Sequence, residues 1–411
     1  KVLSSGAVTL KNTTARYNGH AGITIDNNHS TYLKSVTLTN LTIEGNDYEG
    51  LIVVSAGPIT VSGLTARYAQ ADEIGHDQYV VQLNAIPGIG TVSLSNITID
   101  GNSAKDALLR IDARGQVNLT NVFVENNPDG KGIFVDNTLA PTPKPVIVKG
   151  LEVLGIGDGD AVTIFSDGDI TITNAVVRNT SNGWGLVLDN HTGTIAKVTV
   201  NTSGVFTNQF TGSQYGGLFV ATNGNIVVSN TNVAYHSAPG AIGMQLDNTS
   251  GTGSISLVNI TLLSNSTQAE LYSSGSILVD RMTAMYGTRG TSLLVQNNLN
   301  KPVNVYRSTF TQNGYYGLSV ETGGIVTLNG VIANDNQGHN AYGVLVDNSA
   351  TGTSIQPVNV LSSYGANIFN KNYFGGLKIT SGGKVSISKI NMTENYYGAL
   401  IVHTTSPLGV V

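Results

Sequence analysis

The chain has 411 residues and a net charge of −5, with 11% charged and 40% hydrophobic side chains, 49 glycines and no cysteine. Disulfides and thiolate metal sites are therefore excluded, scattered basic residues leave no nucleic-acid footprint, and no apolar run approaches the ~18 residues that span a membrane, so no membrane insertion is expected. Regularly placed Val, Ile and Leu also exclude disorder, because they suffice for a core despite the low charge.

In chain order, GITIDNN from Gly22 reads as a short strand closing on Asp-Asn. In SVTLTNLTIEGN, Ser35 to Asn46, Val36 and Leu38 alternate with Thr37 and Thr39. Asn40 interrupts this alternation, and Leu41 and Ile43 restart it after a turn. The rhythm returns at Val92 to Asp100, Ile170 to Val177 and Ile255 to Leu263, and GIFVDN, GLVLDN, GMQLDN and GVLVDN repeat the first strand from Gly132, Gly185, Gly243 and Gly343. A second half-unit is typified by GLFVATNGNIVVSNTNVAYHS from Gly217 and GLKITSGGKVSISKINMTENYYG from Gly376. Interruptions fall at Leu64 to Gln78, Thr138 to Pro145, Asn201 to Gly216 and Ser362 to Gly375. The second of these holds Pro141, Pro143 and Pro145 and cannot be a central strand.

The two half-units alternate with a period of about fifty-odd residues, the mark of a solenoid. The expectation is all-β: a single right-handed parallel β-helix (β-solenoid) over residues 1–411, with about sixteen coils of three short strands and a two-coil repeat. It would form a rod on the order of 75 Å long.

Bend residues form columns. Gly6, Gly57, Gly115, Gly168, Gly224 and Gly275 share a phase that suits positive φ. Just before them, Asn27, Asn137, Asn190, Asn248, Asn297 and Asn348 alternate with Ser166, Thr222, Ser274, Thr322 and Ser381. Stacked amides and hydroxyls of this kind form a structural ladder that satisfies bend backbone groups. Asp26, Asp136, Asp189, Asp247 and Asp347 recur mostly every second coil, which limits carboxylate repulsion.

This rhythm of Gly-Leu-x-Val, Asp-Asn and Gly-x-Val-x-Val-x-Asn resembles right-handed parallel β-helix repeat proteins of bacterial cell surfaces, including adhesins and filament-forming exoproteins. The resemblance implies an extracellular or cell-surface location. It says little of function, because one scaffold hosts many activities.

Candidate chemistry is sparse. Arg67, Asp72, Glu73, His76 and Asp77 form the best local cluster, which also reads as a solvated loop. Asp129, Asp158 and Asp160 align at one bend of adjacent coils, where stacked acids either repel or share Ca²⁺; Asp-Gly is also favoured at bends. Apart from calcium, no cofactor is expected. Tyr17, Tyr68, Tyr235 and Tyr286 share a phase suited to glycan or lateral contact, or to covering the apolar end of a coil. A second aromatic set comprises Tyr48, Trp184, Tyr215, Tyr316, Tyr342, Phe374 and Tyr397. Asn-x-Ser/Thr acceptors, among them Asn12, Asn40, Asn96, Asn190, Asn248, Asn259 and Asn265, permit glycosylation.

The preferred expectation is a structural or adhesive extracellular rod without catalytic activity: an adhesin segment or filament subunit. Its partners would be further repeats or neighbouring copies stacked end to end, and cell-surface or matrix glycans. The alternative is a carbohydrate-active enzyme, a lyase or glycoside hydrolase. Third comes an ice-binding solenoid, suggested by Thr37/Thr39, Thr60/Ser62 and Thr171/Thr173 and opposed by Lys11, Lys149, Asp280 and Lys389.

Overall fold

The computed structural model describes residues 1–28, 33–71, 79–190, 195–297, 299–349 and 356–404. The chain is all-β, with no helix among the described residues, and its parallel strands stack as a right-handed β-solenoid of about 15 turns, as the repeat predicts. The turns fall into two compact units, Lys1–Gln214 and Tyr215–Val411.

In the first unit, a face of short strands runs from Val2–Leu3 through Ile23–Asn27, Leu51–Ser55 and Ala107–Asp112 to Trp184–Asn190. A second sheet holds longer strands such as Val36–Glu44, Val92–Asp100, Val117–Asn127, Val146–Ile156 and Ile170–Thr180. Pairing is residue for residue: Val36 with Ile59, Leu38 with Val61, Ile43 with Ala66. Strict alternation would leave Leu41 and Ile43 outside. Asn40, at a φ of 53°, shifts the parity, and all four apolar side chains of this strand are buried. Full burial of each contributes roughly 1.5–3 kcal/mol. The second and third strands expected in each coil are thus one bent strand here. In the second unit the bend separates them in places, as at Val303–Tyr306 and Thr309–Thr311.

Another left-handed column closes the long strands. In the first unit it reads Tyr17, Gly45, Tyr68, Gly101, Asn126, Gly155, Asn179, Gly212, all at positive φ. Every second member is glycine because the preceding coil's side chain covers it. A Cβ on Gly101 would lie 3.0 Å from the Tyr68 ring, and one on Gly212 2.9 Å from Asn179 Oδ1. This steric alternation accompanies the two-coil period in the first unit alone; in the second unit the same column reads Tyr235, Ser264, Tyr286, Gln312, Asp335, Lys371, with no glycine among them.

The expectation of positive φ at Gly6, Gly57, Gly115, Gly168, Gly224 and Gly275 is overturned, since none of them has it. Close backbone approach selects glycine instead at Gly57, Gly115, Gly168 and Gly275. A Cβ on Gly57 would fall 2.1 Å from Lys34 O, and one on Gly275 1.8 Å from Gly253 O.

The column before these glycines is buried as expected, and its two residue types do different work. Hydroxyls of Ser55, Ser166, Ser273, Thr322 and Ser381 each accept the N–H two residues ahead, at 3.0–3.1 Å. Register assigns this place to Ser273, opposite Asn248 and Asn297, and not to Ser274. The asparagines use Nδ2 as donor. Asn27 reaches Lys34 O and Asn137 reaches Lys144 O, both at 2.8 Å, while Asn190 reaches Gly168 O at 3.3 Å. In the second unit, Asn248 donates to Gly253 O at 2.7 Å, Asn297 to Gly275 O, and Asn348 to Gly324 O and Gln356 O at 3.0 Å. The preceding aspartates cap the same bends. Asp136 Oδ1 accepts from Thr138 N at 3.0 Å and Oγ1 at 2.7 Å, and Asp247 accepts likewise from Thr249.

The second unit also contains a ladder that the sequence reading missed. Asn313 Nδ2 donates to Asn336 Oδ1 at 3.0 Å, Asn336 Nδ2 to Asn372 Oδ1 at 2.9 Å, and Asn372 Nδ2 to Asn395 Oδ1 at 3.1 Å. An Asn shortly before each aromatic-Gly start (QNGYYG, KNYFGG, ENYYG) was its signal.

Candidate functional site

Outward positions of the long strands in the first unit form columns of differing chemistry. Near the start they are hydroxylic, with Thr37 opposite Thr60 and Thr39 opposite Ser62, and Ser95 donates to Ser62 at 3.0 Å. Lys11 pairs with Thr39 and breaks this array. A neighbouring column alternates in charge: Arg16, Glu44, Arg67, Asp100. Arg16 Nε lies 2.8 Å from Glu44, and Arg67 Nε 3.7 Å from Asp100. The alternation fails at the next coil, where Glu125 stands opposite Asp100. Lost hydration, then the adjacent Asp100 carboxylate, push the Glu125 carboxyl above the usual glutamate range.

Beside this pair lies a groove of about 480 Å³. Its floor is the left-handed bend column Asn96, Asn121, Gly150, Asn174, and its wall carries Thr98, Phe123, Glu152 and Val176. The enlarged segment after Asn201 contributes Phe206. That segment is tied down by Asn174, which accepts from Ser203 N at 2.9 Å and donates to Ser203 Oγ at 2.8 Å.

The second unit carries a different surface, a double column of rings. Tyr316, Tyr342, Phe374 and Tyr397 follow one another at centroid distances of 6.4, 5.2 and 4.9 Å. Alongside, His339, Tyr373 and Tyr396 are spaced at 5.4 and 5.8 Å. Burial raises the pKa values of Tyr342 and Tyr316, and for Tyr316 the neighbouring Tyr315 adds to it. Tyr396 and Tyr397 are 73% and 62% exposed. The sequence reading identified the first column but missed the second.

No family model, curated protein or solved structure matches the chain. Function must therefore be argued from these surfaces.

The predicted tyrosines do share a position. Tyr17 and Tyr68 in the first unit, and Tyr235 and Tyr286 in the second, lie between 47% and 75% exposed, with φ from 52° to 65°. In the first unit their rings also cover glycines, so they have a packing role. The three candidate calcium ligands each meet a neutral donor: Ser103 Oγ to Asp129 at 2.7 Å, Asn182 Nδ2 to Asp158 at 2.7 Å, and Trp184 N to Asp160 at 2.9 Å. Among the described residues, no group of three or more His, Cys, Asp or Glu side chains could hold a metal. Asp72, Glu73, His76 and Asp77 lie outside the described residues. Of the glycosylation acceptors, Asn190, Asn248 and Asn265 are buried, whereas Asn12, Asn40, Asn96 and Asn259 lie exposed at left-handed bends.

Proposed function

We propose that this chain is an extracellular structural and adhesive β-solenoid that displays contact surfaces on its stacked coils. The carrying observation is the double aromatic column of the second unit. Rings at roughly one per coil give a large apolar area with phenol hydroxyls at its margin, suited to glycan faces. Ladders of buried amides hold this surface in place. The test is retention on insoluble polysaccharides, chitin and cellulose, compared with Tyr373→Ser and Tyr396→Ser. Retention lost in both variants, with melting unchanged, supports the reading. Equal retention by all three proteins assigns the rings to packing alone.

A carbohydrate-active enzyme is the second reading, favoured by the Asp100–Glu125 pair beside the groove. A carboxyl whose pKa is raised by lost hydration and by a neighbouring carboxylate has the direction of shift that a general acid in glycoside cleavage uses. Release of reducing ends that Glu125→Gln abolishes would establish it, whereas absence of product with neutral and uronate polymers would remove it.

A further inference from the structure

We infer that the groove of the first unit is a subsite for a neutral oligosaccharide about three pyranose rings long. The inference shares with the adhesive reading only its ligand class, and it concerns a different unit and different residues.

Size sets the first limit. The floor residues belong to four successive coils, paired through Thr120–Ser95, Thr120–Lys149 and Lys149–Thr173. Three intervals of ~4.8 Å make a trough of roughly 14 Å, the length of about three linked sugar rings. A volume of about 480 Å³ lies within the usual range for small-molecule sites.

Chemistry sets the second. Phe123 and Phe206 offer apolar faces for the C–H side of a sugar, and amides of Asn96 and Asn121 present both donor and acceptor groups at the floor. Asn121 donates to Asn96 Oδ1 at 3.1 Å, which fixes both amide planes and leaves further donor and acceptor capacity. Glu152 adds an exposed carboxylate that accepts from hydroxyls.

Charge sets the third. Glu152 is the charged side chain in the groove lining, with Glu125 and Asp100 farther along the same wall. The cations around it are Arg67, Arg178 and Lys149, the last lying next to floor residue Gly150. Arg67 is paired with Asp100, and Arg178 donates to Gln209. A uronate would bring like charge against Glu152 in the lining itself, so the site selects neutral sugars.

Gly150 keeps the floor open, since a Cβ there would lie 2.8 Å from Asn121 Oδ1, at a φ of +68°. Asparagine pairs occupy this column in adjacent coils elsewhere, as with Asn40 donating to Asn12 at 3.1 Å. Gly150→Asn therefore fills the trough with a residue whose backbone adopts this φ in adjacent coils, at the cost of displacing the Asn121 amide.

The experiment is calorimetric titration of the whole chain with cellotriose, chitotriose and trigalacturonate. At least one neutral trisaccharide should bind saturably, and trigalacturonate at least about ten-fold more weakly. Phe206→Ala and Gly150→Asn should each weaken the neutral ligand by about ten-fold or more, Phe206→Ala with unchanged melting and Gly150→Asn when titrated well below its own lowered melting temperature. Glu152→Gln should narrow the gap to trigalacturonate. Tyr373→Ser should leave all of this unaffected, which separates the groove from the aromatic columns. No binding of either neutral ligand, binding that survives both groove variants, or preference for the uronate would each overturn the inference.

Discussion

The ring of Tyr17 occupies the space that a side chain on Gly45 would need: a Cβ there would lie 2.6 Å from both Cδ1 and Cε1 of the tyrosine. Gly45 also has a φ of +61°, which costs an L-residue roughly 1–2 kcal/mol. Gly45→Ala should therefore destabilise the first unit by about 2–3 kcal/mol, through strain and displacement of the ring. In the Tyr17→Ala background only the strain remains, so the same change should cost about 1–2 kcal/mol. Denaturant melts of the four proteins measure the difference. Strict additivity would show that the ring is not held there in solution.

The buried asparagine ladder makes a stronger demand. Asn336 accepts from the backbone and side chain of Asn313, and donates to Asn372 and to Phe310 O. Asn336→Leu leaves several of these groups unpaired and should cost about 2–4 kcal/mol. Asn248→Leu, which removes the bonds to Gly224 O and Gly253 O, should cost about 1–3 kcal/mol. Chemical denaturation that ranks Asn248 above Asn336 would contradict the hydrogen-bond pattern.

Arg110 tests whether surface geometry on the short-strand face matters. Its fork meets Asp112 at 2.7–3.0 Å, and its guanidinium lies 4.4 Å from the Phe134 ring centroid and 5.4 Å from that of Tyr79. Arg110→Lys keeps the charge but loses the fork and the flat stacking face, so it should destabilise by about 1 kcal/mol. A melt matching the unaltered protein would mean the pair is solvated and worth nothing, as many surface pairs are.

Much of the fold was legible because local chemistry and global stacking demand the same residues. Val36, Leu38, Leu41 and Ile43 show their burial through alternation, and Asn40 marks the parity shift. The Gly57 column was read correctly as a column but for the wrong reason, since a close approach between coils cannot be told from positive φ without knowing what lies beneath. The candidate site was far less legible. Phe206 sits in a segment that the sequence shows only as an enlargement, and Asn96, Asn121, Gly150 and Asn174 become neighbours only once coils are in register. The Asn313–Asn336–Asn372–Asn395 ladder stayed hidden for a related reason: intervals between its members vary with loop length, and asparagine also fills the exposed bends.

Glu125 gives a prediction whose sign is fixed by the direction of its pKa shift. Its carboxyl is held above the usual glutamate value by lost hydration and by Asp100, so the folded protein prefers the protonated form. The stabilising contribution is fully present below the unfolded-state pKa and is lost as pH rises through the higher folded-state value. At neutral pH the ionised side chain stands opposite another carboxylate, while Asp100 already engages Arg67 and Asn126. Glu125→Gln should therefore raise the melting temperature at pH 7 and leave it nearly unchanged near pH 3, where glutamate and glutamine are both neutral. Glu125→Arg should stabilise at pH 7 at least as well, because it restores the alternation of Arg16, Glu44, Arg67 and Asp100, and added salt should shrink both gains. Melting curves from pH 3 to 8 at two salt concentrations decide it. A Gln variant less stable at pH 7, or a gain independent of pH, would show that Glu125 ionises without penalty and that the broken alternation has no electrostatic consequence.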